Sequence, residues 1–168
     1  MIEIELKDNQ YPEKGFTHLR IVSRGIVLDG NGFFALHRIH RDDIFGKEDY
    51  YETPGGGMDK GETVEEALKR ECKEELGEEV EILGKLGIVK DAYNLIGRKN
   101  ENHYFLCRKL SEGKPHFVSD GDSLIQETIW VSLDEGIEKM KSQKDHGVSA
   151  LVKARELPIL MEAKRLLG

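Results

Sequence analysis

The chain has only two cysteines in 168 residues, Cys72 and Cys107, and neither belongs to a CxxC pair or a Cys/His cluster. That excludes the usual thiolate zinc sites and points to a reducing compartment. Both sit in apolar contexts and read as small core residues. No apolar run approaches the roughly 20 residues of a membrane span. The first ten residues, MIEIELKDNQ, are charged and lack an apolar h-region, so no secretory signal is expected. A cytoplasmic protein without a membrane partner is the expectation. A basic excess is missing too. The net charge is −7, which disfavours a nucleic-acid polymer as partner, because such proteins normally show a basic face. Repeats, low-complexity tracts and linkers are absent from the sequence. Its length suits a single domain, residues 1–168, with a sizeable core.

What the chain does hold is acid, and unevenly. Charged residues make up 34%, against roughly 25% in typical domains. Asp59 to Glu81 contains ten acids and four bases, so it carries six of the seven net negative charges. The spacing predicts a helix over Thr63 to Leu76, closed near Gly77. Wound at about 100° per residue, it places Val64, Leu68, Cys72 and Leu76 on one stripe with Ala67 at its edge. Glu71 and Glu75 fall inside or beside that stripe, and Glu74 borders it. Glu66, Lys69, Arg70 and Lys73 fill the solvent-facing side. The three glutamates are three and four apart, so they project towards one patch. Half-buried like charges cost free energy unless something positive joins them. A divalent cation is the simplest partner; a solvated Glu-rich helix is the bland alternative.

Strands are expected at Ile2–Leu6, His18–Leu28, Phe33–Ile39, Tyr50–Thr53, Val80–Tyr93, His103–Lys109 and Thr128–Ser132. Asp29-Gly30-Asn31-Gly32 is a strong hairpin signal. Loops are expected at Asn9–Gly15, His40–Asp49, Asn94–Asn102 and Leu110–Ser123. A helix follows from about Leu133 to Lys141, and a C-terminal helical segment runs from Val148 to Leu167. Pro158 should break or kink it, or start a second helix. The pattern indicates an α/β fold with a mixed sheet flanked by helices.

Residues Gly56 to Glu78 read GGMDKGETVEEALKRECKEELGE and closely resemble the signature of the Nudix hydrolase (MutT-like) family. That signature is Gly, five residues, Glu, seven residues, Arg-Glu, an apolar residue, any residue, Glu-Glu, any residue, Gly, apolar. Gly56, Glu62, Arg70, Glu71, Cys72, Glu74, Glu75 and Gly77 match in register; Glu78 departs, and Val80 is the candidate to take over its packing role. Pro54-Gly55-Gly56 ahead of the motif looks like the family as well. The resemblance implies the family's α/β/α sandwich. It also implies Mg²⁺-dependent hydrolysis, with Mn²⁺ as an alternative ion. The substrate would be a small molecule, a nucleoside diphosphate linked to another moiety, and the state a monomer or homodimer. A catalytically silent nucleotide-binding module on the same fold is the runner-up. Three repelling carboxylates are hard to explain in a module that only binds.

Within the motif, Glu71, Glu74 and Glu75 look like cation ligands and catalytic residues. Gly55 and Gly56 would bring backbone groups close to the metal and phosphates. Glu62, Arg70 and Gly77 read as structural. Arg70 either holds Glu74 in one rotamer or forms a plain surface ion pair. The family often adds a later acid; Glu127 resembles it best, with Asp120 and Asp122 as competitors. Arg38, with His40 and Arg41 beyond it, follows the second strand, where family members place substrate contacts. Glu52 precedes Pro54 by two residues, as a substrate-binding Glu does in several branches. His103 and Tyr104 read as structural, and His146 as a turn residue. The stretch AYNLIG lacks the proline of many ADP-ribose hydrolases. Tyr93 lies about one residue short of the tyrosine of dinucleoside polyphosphate hydrolases.

Overall fold

A computed structural model describes residues 1–117 and 121–168. In chain order the strands are β1 (Ile2–Glu5), β2 (His18–Leu28), β3 (Phe34–Asp43), β4 (Gly46–Glu52), β5 (Gly55–Gly57), β6 (Val80–Tyr93), β7 (Arg98–Lys109) and β8 (Ile125–Val131). The helices are α1 (Val64–Leu76), α2 (Leu133–Lys141) and α3 (Gly147–Leu167). The strands form one mixed sheet in the order β1-β6-β7-β2-β3-β4, with β5 on β2 and β8 on β3. β1 runs parallel to β6 and β2 parallel to β7, while the β6–β7, β3–β4 and β3–β8 pairs are antiparallel.

Strand alternation divides the core between the two faces of the sheet. Ile26, Phe34, Leu36 and Tyr104 pack with Ile137, Met140, Ile159 and Leu160 of α2 and α3. Their chain neighbours Val27, Ala35 and Phe105 pack on the other side, with Leu68, Cys72 and Leu76 of α1. The result is an α/β/α sandwich. None of its helices is long and apolar enough to cross a membrane, among the described residues. α1 starts at an N-cap on Thr63, whose hydroxyl accepts from the Glu66 amide while Glu66 accepts from the Thr63 amide. It stops at Gly77, in the left-handed region at φ 72°, where a side chain is strained.

One topological detail positions the site. β2 and β3 are joined at Asp29–Gly32 and pair only at Leu28 and Phe34. Beyond that point β2 takes β5 as neighbour and β3 takes β4 and β8. The gap between the diverging strands is a cavity of about 480 Å³. Alternate residues of both strands line it: Arg20, Val22 and Arg24 from β2, and His37, Ile39 and Arg41 from β3.

Four expectations are corrected. The expected loop at His40–Asp49 is a hairpin, in which β3 runs on to Asp43 and β4 starts at Gly46. Its charges belong to a hairpin that buries Tyr50 and Phe45 beside Val148 and Val152 of α3. The expected loop Asn94–Asn102 is a 3-10 turn at Asn94–Ile96 followed by the first residues of β7. Buried Asn100 and Asn102 donate to the Asp91 carboxylate at 3.0 and 2.8 Å, which lets polar residues occupy a strand interior. β8 begins at Ile125, three residues before the expected Thr128, so Glu127 stands inside the strand rather than before it. Pro158 neither breaks the helix nor starts a second one: α3 is one run of 21 residues. Buried residues on both sides of the proline, Val152 and Arg155 before it and Ile159 and Leu160 after it, hold the two halves on one sheet face. The expected strand Val80–Tyr93 is unbroken, and its register shifts fall beside Gly84 and Gly87.

A proline within a helix removes one donor and crowds the preceding turn, at a cost of roughly 3 kcal/mol in an unrestrained helix. Pro158→Ala is therefore expected to stabilise the protein, by about 1 kcal/mol or more. The midpoint of urea unfolding, at unchanged slope, checks it.

Candidate active site

The cavity floor is built by α1 and the triple glycine. Glu71 and Glu75 are buried, at 7% and 3% exposure, on the same stripe as Leu68 and Cys72. A charged group sits there because glycine makes room. A Cβ on Gly56 would lie 2.5 Å from the Glu71 carboxylate. On Gly55, at φ 147°, it would collide with the Ser23 carbonyl. The Gly55 amide donates to Glu75 at 2.9 Å. His37 Nε2 also faces Glu75, at 3.1 Å, and its Nδ1 is 2.9 Å from the Thr128 hydroxyl. Burial holds His37 down to about 4, so a neutral ring positions Glu75 at neutral pH.

Arg70 is a clamp rather than a surface cation. It bonds Glu62 at 2.7 Å, the Gly57 carbonyl at 2.9 Å, Glu71 at 3.1 Å and Glu74 at 3.3 Å. Glu62 in turn accepts from the Asp59 amide, which fastens the loop to the helix. Glu52 lies in the cavity wall, paired with Arg24 at 3.3 Å and with Arg155 of α3 at 2.6 Å. Burial would raise its pKa, but these two cations outweigh that and hold it below the usual range. Arg155 also donates to the Tyr93 and Tyr104 hydroxyls at 2.7 and 2.9 Å. Fully buried Glu156 accepts from the Thr53 amide at 2.6 Å and from the Tyr104 hydroxyl. This network ties α3 to the residues that enter the triple glycine.

Several expected residues come together here: Gly55, Gly56, Glu52, Glu71, Glu74 and Glu75 all line the cavity, as do Arg41 and Tyr93. Glu127 and Arg38 do not. They are direct partners across β8 and β3, joined at 2.9 Å with both side chains largely exposed. His37 and Thr128, one position along each strand, form the inward-facing pair, so the pleat sends Arg38 and Glu127 to the opposite face. The acid that meets the helix is Asp122, buried at the start of the turn before β8. Oxygens of Glu71, Glu75 and Asp122 lie within 4.8 Å of one another. Asp120 lies outside the described residues. His103 pairs with Lys85 and Glu101, and His40 with Asp49, all away from the cavity. His146 precedes α3 and makes no side-chain cap bond. Sequence reasoning missed His37, Arg20, Arg24, Arg98 and Arg155. The alternation Arg20-Ile21-Val22-Ser23-Arg24 along a strand is the one local signal for two of them.

Three carboxylates this close cannot all stay ionised without a counter-charge. Burial, then Glu75, push Glu71 up to about 8 despite Arg70. Burial, with Asp122 hydrogen-bonded to it, raises Glu75 well above its ordinary value. Glycines without Cβ, clustered hard oxygen donors and raised proton affinity fit a divalent cation such as Mg²⁺ or Mn²⁺.

The sandwich and this cleft define the class: an α/β protein with a carboxylate cluster facing arginines. The chain belongs to the Nudix family, whose NUDIX domain model matches residues 18–151. Nucleoside triphosphatase NudI of Enterobacter sp. (strain 638) is 44% identical over 57 residues, which are 33% of this chain and 39% of that protein. The match thus spans about two fifths of the relative's length. The MutT protein of Methanosarcina mazei Go1 superposes with a TM-score of 0.64 at 19% identity, covering 94% of this chain and 99% of that one. A MutT NUDIX hydrolase of Burkholderia pseudomallei gives 0.56 at 26% identity, over 69% and 84%.

A carboxyl whose pKa rises on folding stabilises the protein below its unfolded pKa, and that contribution is lost as pH climbs through the folded value. For Glu71 the window runs from 4.5 to about 8. Thermal melts in chelator should therefore fall across this window, and Glu71→Gln should flatten the fall. Because cation binding must displace that proton, Mg²⁺ affinity should rise with pH up to about 8. Proton release in calorimetry across several buffers measures it.

Proposed function

We propose that the protein is a divalent-cation-dependent pyrophosphohydrolase of small nucleotides. Its substrate is a nucleoside diphosphate linked to a further group, and water splits it into a nucleoside monophosphate and the phosphorylated remainder. The observation that carries this reading is the meeting of Glu71, Glu75 and Asp122 inside a cavity that also holds arginines. The family supports it, as does the Enterobacter relative, a nucleoside triphosphatase by name.

Glu71, Glu75 and Asp122 would hold the cation, with Glu74 and Gly56 lining the same cavity. When bound, the cation neutralises the diphosphate and favours attack by water. The rest falls to the chain's own residues. Arg70 fixes Glu71 and Glu74 relative to the glycine loop. The Gly55 amide and neutral His37 fix Glu75. Rigid placement of this kind is what makes a bound water and a phosphorus meet in line.

A product screen over nucleoside triphosphates, nucleotide sugars, ADP-ribose and dinucleoside polyphosphates, with Mg²⁺ or Mn²⁺ and with chelator, tests the reading. Turnover is expected only with the cation. Glu75→Gln should lower kcat at least about a hundredfold and Asp122→Asn at least about tenfold, since each removes a charge used in the transition state. Glu127→Gln, on the far face, should stay within about twofold of the parent. A dead Glu127→Gln beside an active Asp122→Asn would overturn the assignment of the third acid.

A further inference from the structure

Five arginines line the cavity besides Arg70, and their partners divide them into two kinds. Arg24 and Arg155 share Glu52, and Arg41 is paired with Asp43 at 2.9 Å. Arg20 and Arg98 form no ion pair among the described residues. Both belong to the parallel β2–β7 pair, where Arg98 stands opposite His18 and Arg20 opposite Asn100. They therefore share a face, two positions apart. Arg98 is held in place: its Nε donates to Asn100 at 2.8 Å, and its guanidinium lies 5.1 Å from the centre of the Tyr93 ring. Arg20 is packed on the glycine loop, where a Cβ on Gly57 would fall 2.5 Å from its Nε. Gly57 is one residue from Gly56, the glycine that abuts Glu71.

Two cations on adjacent strands repel each other. Burial, together with Arg20, draws Arg98 down to about 10. Arg20, though much of its side chain stays open to solvent, is lowered as well by partial desolvation and the neighbouring Arg24. The Asn100 and Tyr93 contacts hold Arg98 in place without neutralising its charge, and among the described residues neither arginine closes an ion pair. An anion between them would pair with both. Guanidinium groups are suited to this because they present paired donors to phosphate oxygens. The site then has two charge balances. The carboxylates with their cation take up the diphosphate, and the two unpaired arginines call for about two negative charges more. A diphosphate linked to a neutral sugar does not carry them. A triphosphate does, since its terminal phosphate is close to doubly charged at neutral pH.

We propose that Arg20 and Arg98 form a subsite for a third phosphate, which makes nucleoside triphosphates or longer polyphosphates the favoured substrate class. This rests on the hydrolase reading above, but it is testable without turnover.

The test has two arms. The first compares kcat/KM for uridine triphosphate and for a uridine diphosphate sugar, which share base and ribose, in Mg²⁺. The triphosphate should be favoured, and Arg20→Gln and Arg98→Gln should each lower that preference about tenfold or more, the worth of one charge-assisted bond. Arg98→Lys should keep part of it. The second arm measures binding of inorganic tripolyphosphate and of pyrophosphate in excess Mg²⁺ by calorimetry. Tripolyphosphate should bind tighter, and both glutamine variants should narrow the gap. Preference and gap unchanged in folded variants, or an equal loss on both ligands, would overturn the subsite while leaving the hydrolase reading intact. A tripolyphosphate preference that depends on the arginines, with no turnover of any nucleotide, would uphold the subsite and sink the hydrolase reading. Thermal melts of each variant identify any that fail to fold, and Arg20→Gln, on an exposed residue, serves in place of Arg98→Gln if the latter does.

Discussion

The mutual repulsion of Glu71, Glu75 and Asp122 is the constraint on which the rest of the site turns. Carboxylates that approach within 4.8 Å in a buried floor must either bind protons or be joined by a cation. The surrounding structure withholds the easy way out. Arg70 is directed at the edge of the cluster and is already divided among Glu62, Gly57, Glu71 and Glu74. His37, the closest other base, is kept neutral by its burial. The cluster thus stays short of positive charge, which is the condition for binding a hard cation strongly.

That arrangement costs stability, and the C-terminal helix supplies a counterweight. Arg155 and Glu156 are adjacent in α3 and fully buried, and between them they bond Glu52, Thr53, Tyr93 and Tyr104. Glu52 and Thr53 lead directly into Pro54 and the triple glycine. A helix remote in sequence therefore fixes the loop that carries the Gly55 amide. Removing one member would leave buried charge unmatched, which is far more costly than losing a surface pair. The same network orients the Tyr93 hydroxyl, whose ring carries Arg98. Cation floor and arginine wall are thereby held by one set of bonds.

Where sequence reading and structure part, hydrogen bonding across strands is the reason. Asn100 and Asn102 look like loop residues, yet Asp91 on the neighbouring strand satisfies them and the strand continues. His40 to Asp49 looks like a charged loop, but cross-strand pairing and the burial of Tyr50 make it a hairpin. Glu127 has the right type and a plausible place in the chain. The strand begins three residues early, so the pleat that turns Thr128 towards His37 turns Glu127 to the other face, and Asp122 meets the helix instead.

The sequence by itself determined the acidic helix and its C-terminal glycine, the carboxylates on its inner stripe, and the hairpin at Asp29–Gly32. All of these follow from periodicity and backbone preference within a few turns of chain. Only the tertiary structure decided which third acid joins Glu71 and Glu75, and that Arg20, Arg24, Arg98 and Arg155 face them. Those residues come from β2, β7, α3 and the turn before β8, and no local pattern relates them. They meet because β2 and β3 diverge after Leu28 and Phe34, and that separation depends on which strands each one pairs with.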